Sequence, residues 1–575
     1  MSVERPRQPS SPPEEAGSDR LDSWKEISAY LKREIRTLHR WEIQEGLPIH
    51  RLLHKERGTV YAYKSELDRW REDRRAVLER KGQAPPALWR YIVPILIGLA
   101  AVACVATLFG RKLLSPKTSA SKVMLAVLPF ENLNGGQEQD YFSDGITEEL
   151  ITQLGGLEPN RLGVIARNSA MHYKRTGMSP SQIGRELGVD YILEGTVRQE
   201  GTHARVTAHL FKVSSDTQVW ADTYERDLTD ILELQVELSR AIARQVQVTS
   251  NSLGRSAQSN YPRFNPEAHD DYLRGRYYWY RSEGEKTRTF FFRAIEKDPA
   301  YALAYSGLAD YYVGGAVVGF LSPAEALASG EAAAIKALAI DDSVAEAHNS
   351  LAAAKFFLHW DPAAAENECK RAIELNPSLA EAHHLYAYVL EVLNRPTEAF
   401  QEERKHLELD PFSRPWAIGY AYYRARRFGA AIEELQKVLK TQPDSAWVRV
   451  ILSDAYLLNG EYIESLNEFK RNLVLVSQPE AAQAVEYSYK SGGWEGVQRW
   501  KLGQLSTRAK HDYVSPLEYA QIYASLGKRD QAIAALDQAV AQHVPKLVQI
   551  NQNPYFDPLH SDPRYQAIVR RIGFH

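Results

Sequence analysis

The 575-residue sequence predicts a multidomain chain, not one compact fold. Three observations carry that expectation. A basic opening stretch holds two short amphipathic helices and a hairpin, an uncharged apolar run occupies residues 91–109, and one phrase recurs with a period near 34 residues through the second half. The fold class they imply is a small winged helix-turn-helix, one transmembrane helix, an α/β mixed-sheet domain and an all-α repeat solenoid.

Composition narrows the function classes. Hydrophobic residues make up 44% and charged residues 25%, as in ordinary globular proteins, so only the Pro- and Ser-rich residues 1–20 read as a disordered tail. Cysteine occurs at positions 104 and 369 alone, which excludes a disulfide framework and any cysteine-based zinc or iron–sulfur centre. The net charge of −3 conceals an asymmetry: residues 1–120 hold 22 Lys and Arg against 15 Asp and Glu, and the remainder 48 against 58. The nucleic-acid candidate is therefore the amino-terminal end.

Residues 21–82 read as that binding module. Ser23-Trp24-Lys25-Glu26 is a capping box, with the Ser oxygen taking the Glu26 amide and the carboxylate returning to the Ser23 amide. Ile27, Tyr30 and Leu31 share the apolar face of the helix that follows. A tight connection near residues 32–34 leads to a second helix over about 35–44, with Leu38 and Trp41 inward and Arg36, Thr37, His39 and Arg40 outward. Two extended pieces, residues 50–53 and 59–63, form a candidate wing, and a third helix starts at Ser65. His39, His50 and His54 fall on different elements without carboxylate or Cys partners, so no metal is assigned to them.

Residues 21–71, LDSWKEISAYLKREIRTLHRWEIQEGLPIHRLLHKERGTVYAYKSELDRWR, resemble the MerR and phage-excisionase type of winged helix-turn-helix. The resemblance implies that the second helix enters the major groove of double-stranded DNA and that the wing follows the backbone. Arg36, Thr37, His39 and Arg40 would then contact the groove, and Lys55, Arg57 and Tyr61 the phosphates. Glu34 departs from the family pattern, where a small polar cap often precedes this helix.

The run YIVPILIGLAAVACVATLF at residues 91–109 carries no charge and is flanked by Arg90, Arg111 and Lys112. At about 1.5 Å per residue it matches one hydrocarbon core, which predicts a transmembrane helix within residues 88–112 and contact with a lipid bilayer. The flanking charges favour a cytoplasmic amino terminus, as does a DNA-binding module before the span. The expected location is the bacterial inner membrane, single-pass, with the carboxy-terminal domains extracytoplasmic.

Residues 122–250 predict the order βαβαβββα, hence a mixed sheet covered by helices. Asp140, Asp144, Glu148 and Glu149 form an acidic cluster at helical spacing. They are assigned to the polar side and early turn of a helix, where carboxylates favour the dipole, and not to acid/base catalysis. The phrases LAVLPFENL, YFSDGITEEL, GVDYILEGTVR and VWADTYERDL resemble the TolB amino-terminal-like domain, which implies an envelope location and accompanying tetratricopeptide arrays.

From Pro266 onward the phrases AIEKDP, ALAIDD, AIELNP, HLELDP and VLKTQP end at residues 299, 342, 377, 411 and 443, intervals of 43, 35, 34 and 32. The pattern resembles a tetratricopeptide (TPR) domain of about seven units over residues 266–575, closed by a carboxy-terminal cap, with a protein or peptide on its concave face. His348 and His383 occupy matching Ala-Glu-Ala-His phrases and are read as a coincidence of repeat register, and Cys369 as a buried free thiol.

Together these readings predict a membrane-anchored one-component transcriptional regulator, in the broad manner of ToxR-type proteins. It would bind DNA in the cytoplasm and a protein or peptide ligand outside, with association of protomers into a homodimer as the transmitted signal. The alternative is a non-enzymatic envelope scaffold whose amino-terminal module docks protein. No Walker loop, kinase set, HExxH or nucleophile elbow occurs in the sequence, so no catalytic residue, cofactor or metal site is expected.

Overall fold

The computed structural model describes residues 19–53, 58–80, 122–136, 140–158, 161–201, 203–246 and 265–573. The chain divides into two compact units, residues 1–117 and 118–575. The apolar run at 91–109 lies outside the described residues, and among the described residues no helix is long and apolar enough to cross a membrane.

In the first unit, α1 (Trp24–Leu31) and α2 (Ile35–Glu45) are joined by three residues, with Lys32 in the left-handed region at φ 51°. Ser23 caps α1 by accepting the Glu26 amide at 3.3 Å. The Glu26 carboxylate, however, takes the Asp22 amide at 2.9 Å, not the Ser23 amide the capping box predicts. Glu34 gives α2 no side-chain cap, in line with its departure from the family pattern. β2 (His50–Leu53) and β3 (Gly58–Tyr63) form the antiparallel wing, and a strand that the hydrophobic pattern does not signal, β1 (Arg20–Leu21), pairs on the far side of β3. α3 (Lys64–Arg80) follows directly. Ile27, Leu31, Leu38, Leu47, Ala62 and Leu67 are the buried core, flanked by Trp24, Trp41 and Trp70.

The second unit opens with a sheet of order β6-β4-β7-β8-β9. Here β4 (Val123–Val127) runs parallel to β6 (Leu162–Val164) and β7 (Tyr191–Glu200), while β8 (His203–Lys212) and β9 (Thr217–Asp227) continue antiparallel. A two-residue strand, β5 (Glu131–Asn132), adds to β7. Helices α4 (Asp140–Leu157), α5 (Arg167–Met171), α6 (Pro180–Leu187) and α7 (Ile231–Gln245) complete the mixed sheet domain.

Eight antiparallel helix pairs follow among the described residues, where about seven were expected. The pairs used below are α8 (Pro266–Tyr280) with α9 (Gly284–Lys297), α10 (Ala345–Ala353) with α11 (Pro362–Leu375), α12 (Ala380–Val392) with α13 (Pro396–Leu409), α14 (Ala417–Arg424) with α15 (Phe428–Thr441), and α16 (Ala446–Leu458) with α17 (Tyr462–Leu475). The pair at Pro479–Arg508 is continuous except at Gly492 and Gly493, which break the helix and hide the boundary from a periodicity search.

His348 and His383 have the same role in successive repeats. Each sets Nδ1 2.6 Å from a glutamate of the second helix (Glu368, Glu402) and Nε2 3.1 Å from a carbonyl six residues back. Arg449 does the same in a later repeat, binding Glu468 at 2.5 Å and the Pro443 carbonyl at 2.6 Å. Register therefore accounts for the two histidines.

Two features are not legible from local pattern. The sheet domain and the first repeats share one continuous core running from Leu125 through Phe291 to Leu358. The carboxy-terminal segment, moreover, does not simply terminate the stack. Residues 517–572 pack against repeats near 352–399, with His543 stacked on Trp360 at 3.9 Å and Arg426 gripping Asp557 and the Asn551 carbonyl.

Candidate nucleic-acid interface and solenoid cavity

The outward face of α2 is built as periodicity requires. Leu38 is fully buried, and Arg36, His39 and Arg40 are exposed with Thr37 half-buried. Two neighbours reshape this face. His39 lies against Trp24, ring centroids 4.1 Å apart, with Nδ1 3.6 Å from Glu42, and Glu42 also takes Arg51 at 2.6 Å. His39 is thus held in place, while Arg36 and Arg40 present their charge outward. Ile35 and Ile43 flank them, 41% and 82% exposed. Tyr61 sits on the wing stacked on His50 at 5.2 Å, with the Arg20 guanidinium 4.2 Å above its ring. Lys55, Arg57 and His54 lie outside the described residues. His50 pairs with Glu66 at 2.7 Å, so His50 and His39 each do have a carboxylate neighbour, contrary to the sequence reading.

In the second unit the acidic cluster is not on a solvated helix face, which corrects the expectation from spacing. Asp140, Asp144 and Glu149 are buried, and cations from elsewhere in the chain neutralise the two aspartates. Lys174 reaches Asp140 and Asp144 at 3.1 and 2.7 Å, and Arg175 reaches Asp140 at 3.0 Å. Glu148 binds Arg276 of α8 at 2.6 Å and Arg167 at 3.2 Å. Burial pushes the Glu149 carboxyl up to about 8, and pushes His269, 3.5 Å away, down to about 4. Glu148 and Glu149 thus lie on the seam between sheet domain and solenoid, while Asp140 and Asp144 are held by cations of the sheet domain itself. Gly145, in the middle of YFSDGITEEL, is part of the seam, since a Cβ there would stand 2.7 Å from the Leu273 side chain. At the other end of the seam Ser169 donates to Asp410 at 2.5 Å, and the Ala166 amide donates to the Leu409 carbonyl at 2.7 Å.

The folded-back carboxy-terminal segment forms one wall of an open cavity of about 610 Å³ against α14 and α16. Tyr420, Arg424, Trp447, Asp454, Lys546 and Tyr555 line it. Arg424 stacks between Tyr388 and Tyr420, its Cζ 4.1 and 4.7 Å from the ring centroids, and pairs with Glu391 through Nη2. Its Nε and Nη1 are buried without a partner among the described residues. Tyr555 donates to Asp454 at 2.7 Å, and burial raises that carboxyl. No local pattern marks this site, because its walls come from residues 316 to 555. Cys369 is fully buried and free, and burial pushes its thiol up.

Comparison with known proteins gives these parts a coarse identity. Residues 121–244 match the HilA/YgeH-like transcriptional regulator second domain, where the motifs suggested the TolB type. Residues 361–414, 417–486 and 517–541 match tetratricopeptide repeats. The chain is 35% identical over 196 residues to a putative adenylate cyclase 3 of Rhizobium meliloti (strain 1021), a match covering 34% of this chain. It spans about a third, 33%, of that relative's length. Among solved structures, a thermophilic TPR protein of Thermus thermophilus is 18% identical, covering 33% of this chain and 99% of its own, TM-score 0.29. A tetratricopeptide repeat protein from Parabacteroides merdae ATCC 43184 is 12% identical, covering 50% of this chain and 100% of its own, TM-score 0.29. A regulator-type sheet domain joined to protein-interaction repeats is the resulting description.

Proposed function

We propose that the chain is a transcriptional regulator that reads double-stranded DNA through α2 and binds a protein or peptide in the solenoid. The observation that carries this reading is the HilA/YgeH-like regulator domain at residues 121–244, followed in the same chain by TPR repeats at 361–414, 417–486 and 517–541. Arg36 and Arg40, exposed on the second helix of a helix-turn-helix, support the DNA arm. The cavity of about 610 Å³, lined by Tyr420, Trp447 and Tyr555, supports a peptide ligand. The uncharged run at residues 91–109 supports a membrane anchor, which would put DNA module and solenoid on opposite sides of the bilayer. Ligand binding would then alter association of two chains and raise the local concentration of two DNA modules on paired half-sites.

The test is selection of a random duplex library by the purified full chain at several salt concentrations. One enriched motif is expected, lost in Arg36→Ala and Arg40→Ala. Each arginine that contacts phosphate contributes about 0.9 to the slope of log affinity against log salt. A second reading is favoured by one observation. Ile43, 82% exposed on α2, is a large apolar side chain of the kind a protein surface covers. Binding without sequence selection, unchanged in both variants, would support that scaffold role.

A further inference from the structure

The repeat made by α12 and α13 departs from its neighbours inside the helix pair. Where the preceding repeat carries Asn349, Cys369 and Ala372, this one carries His384, Glu403 and His406, and the α16/α17 repeat has Val450, Phe469 and Asn472 at those positions. All three side chains are buried, with Glu403 2% and His406 0% exposed. One nitrogen or carboxylate oxygen from each lies within 4.8 Å of one from both others. His384 Nδ1 is 2.7 Å from Glu403 Oε1, and the two imidazole rings are 4.9 Å apart. Glu403 and His406 sit at i and i+3 on α13, which places both on the face turned to α12.

The His406 hydrogen bond settles its tautomer. Nδ1 lies 3.1 Å from the Ala380 carbonyl, which can only accept, so Nδ1 carries the proton. Nε2 is then a bare lone pair, and it is buried with no partner among the described residues. A ring N–H anchored on a backbone carbonyl with the other nitrogen left open is the arrangement found behind metal-ligating histidines.

We propose that His384, Glu403 and His406 (through Nε2) bind a divalent metal ion of the zinc class. Two imidazoles and one carboxylate suit zinc, whereas calcium and magnesium prefer all-oxygen sites. Bonds of about 2.0–2.2 Å put neighbouring ligand atoms roughly 3.3–3.5 Å apart. The one proton shared by His384 Nδ1 and Glu403 Oε1 leaves to solvent as the ion takes its place, and the ligand atoms, within 4.8 Å of one another, draw together around it. The charges facing the cluster are Arg414, paired with Glu381 at 2.8 Å, and Arg424, paired with Glu391. Each arginine has its own carboxylate, and Glu403, whose carboxyl burial pushes up to about 7, gives up its proton when it ligates the metal. The ion would pin α12 to α13, whose end residues Leu409 and Asp410 hold the sheet domain.

The test uses the purified full chain, stripped with a chelator and titrated with Co²⁺ and then Zn²⁺. One equivalent is expected, with the visible band of four- or five-coordinate Co²⁺ displaced by Zn²⁺ and a raised thermal midpoint. Glu403→Gln and His406→Ala should each weaken binding more than about 100-fold, the upper range for losing even an outer partner of a ligand. His383→Ala, on the same helix but bonded to Glu402, should retain it. No stoichiometric binding to the wild-type chain, or binding unchanged in both ligand variants, overturns the proposal. Should those variants misfold, X-ray absorption of the zinc-loaded wild type decides: two imidazoles with one carboxylate support it, and any other protein ligand set overturns it.

Discussion

Glu148→Gln is the sharpest probe of whether sheet domain and solenoid are energetically one body. The Glu148 carboxylate accepts from Arg276 Nε at 2.8 Å and stands 2.6 Å from Nη2, with Arg167 on its other oxygen at 3.2 Å. The side chains of Glu148, Arg276 and Arg167 are only 14%, 15% and 11% exposed, so water does not replace the lost anion. Neutralising it leaves two buried guanidiniums, of which Arg276 keeps only a 3.4 Å contact to Asp310 as an ionic partner. Breaking a buried pair in this way costs about 3–5 kcal/mol. With unfolding entropy of about 2.1 cal/mol/K per residue over roughly 450 residues, or about 0.9 kcal/mol/K, that lowers the midpoint by about 3–5 °C. The assay is differential scanning calorimetry of the full chain, together with Arg276→Met and the double variant. A coupling of at least about 2 kcal/mol is expected from the cycle. A shift below about 1 °C, or a wild-type sheet domain melting in its own endotherm, would refute the shared-core argument.

Four further outcomes follow from the same geometry. Folded-state burial raises Glu149 to about 8, so its contribution is full below the unfolded carboxyl value and is lost as pH rises toward 8. Stability should fall over that window, and Glu149→Gln should flatten the profile in denaturant titrations at several pH values. His269 is depressed to about 4, so its contribution is full above the unfolded imidazole value and is lost as pH falls through 4. Denaturant titrations of His269→Gln should therefore lose part of the acid-side decline. Gly155→Ala sets a Cβ 2.6 Å from the Asn376 amide oxygen and should cost about 1–3 kcal/mol by overpacking, read as a lowered midpoint. Arg426→Ala removes contacts to Asp557 and the Asn551 carbonyl, and hydrogen exchange should rise across residues 545–571 before it rises elsewhere.

The local elements are legible in the sequence because their causes are local. Ser23 and Ser179 each mark a helix start by capping an amide three residues on. The 3.6-residue period is enough to put Leu38 inside and Arg36 and Arg40 outside. A recurring phrase near 34 residues locates most of the helix pairs, including the matched positions of His348 and His383. Among the proposed DNA contacts, Arg36 and Arg40 stand outward as spacing requires, while His39 and Tyr61 are occupied by ring neighbours that spacing does not reveal.

What only the tertiary structure decided is which surface covers which face. Period alone makes Asp140, Asp144, Glu148 and Glu149 one polar side of a helix, but Lys174 buries the two aspartates within the sheet domain and Arg276, 128 residues from Glu148, makes Glu148 part of an internal seam. His384, Glu403 and His406 are unremarkable along the chain and converge only when α12 folds against α13. The cavity at Arg424 exists only because residues 545–555 return to repeats far earlier in sequence. The physical reason is common to all three. Backbone propensity and side-chain period act over a few residues, whereas desolvation and charge pairing depend on neighbours that tertiary packing selects.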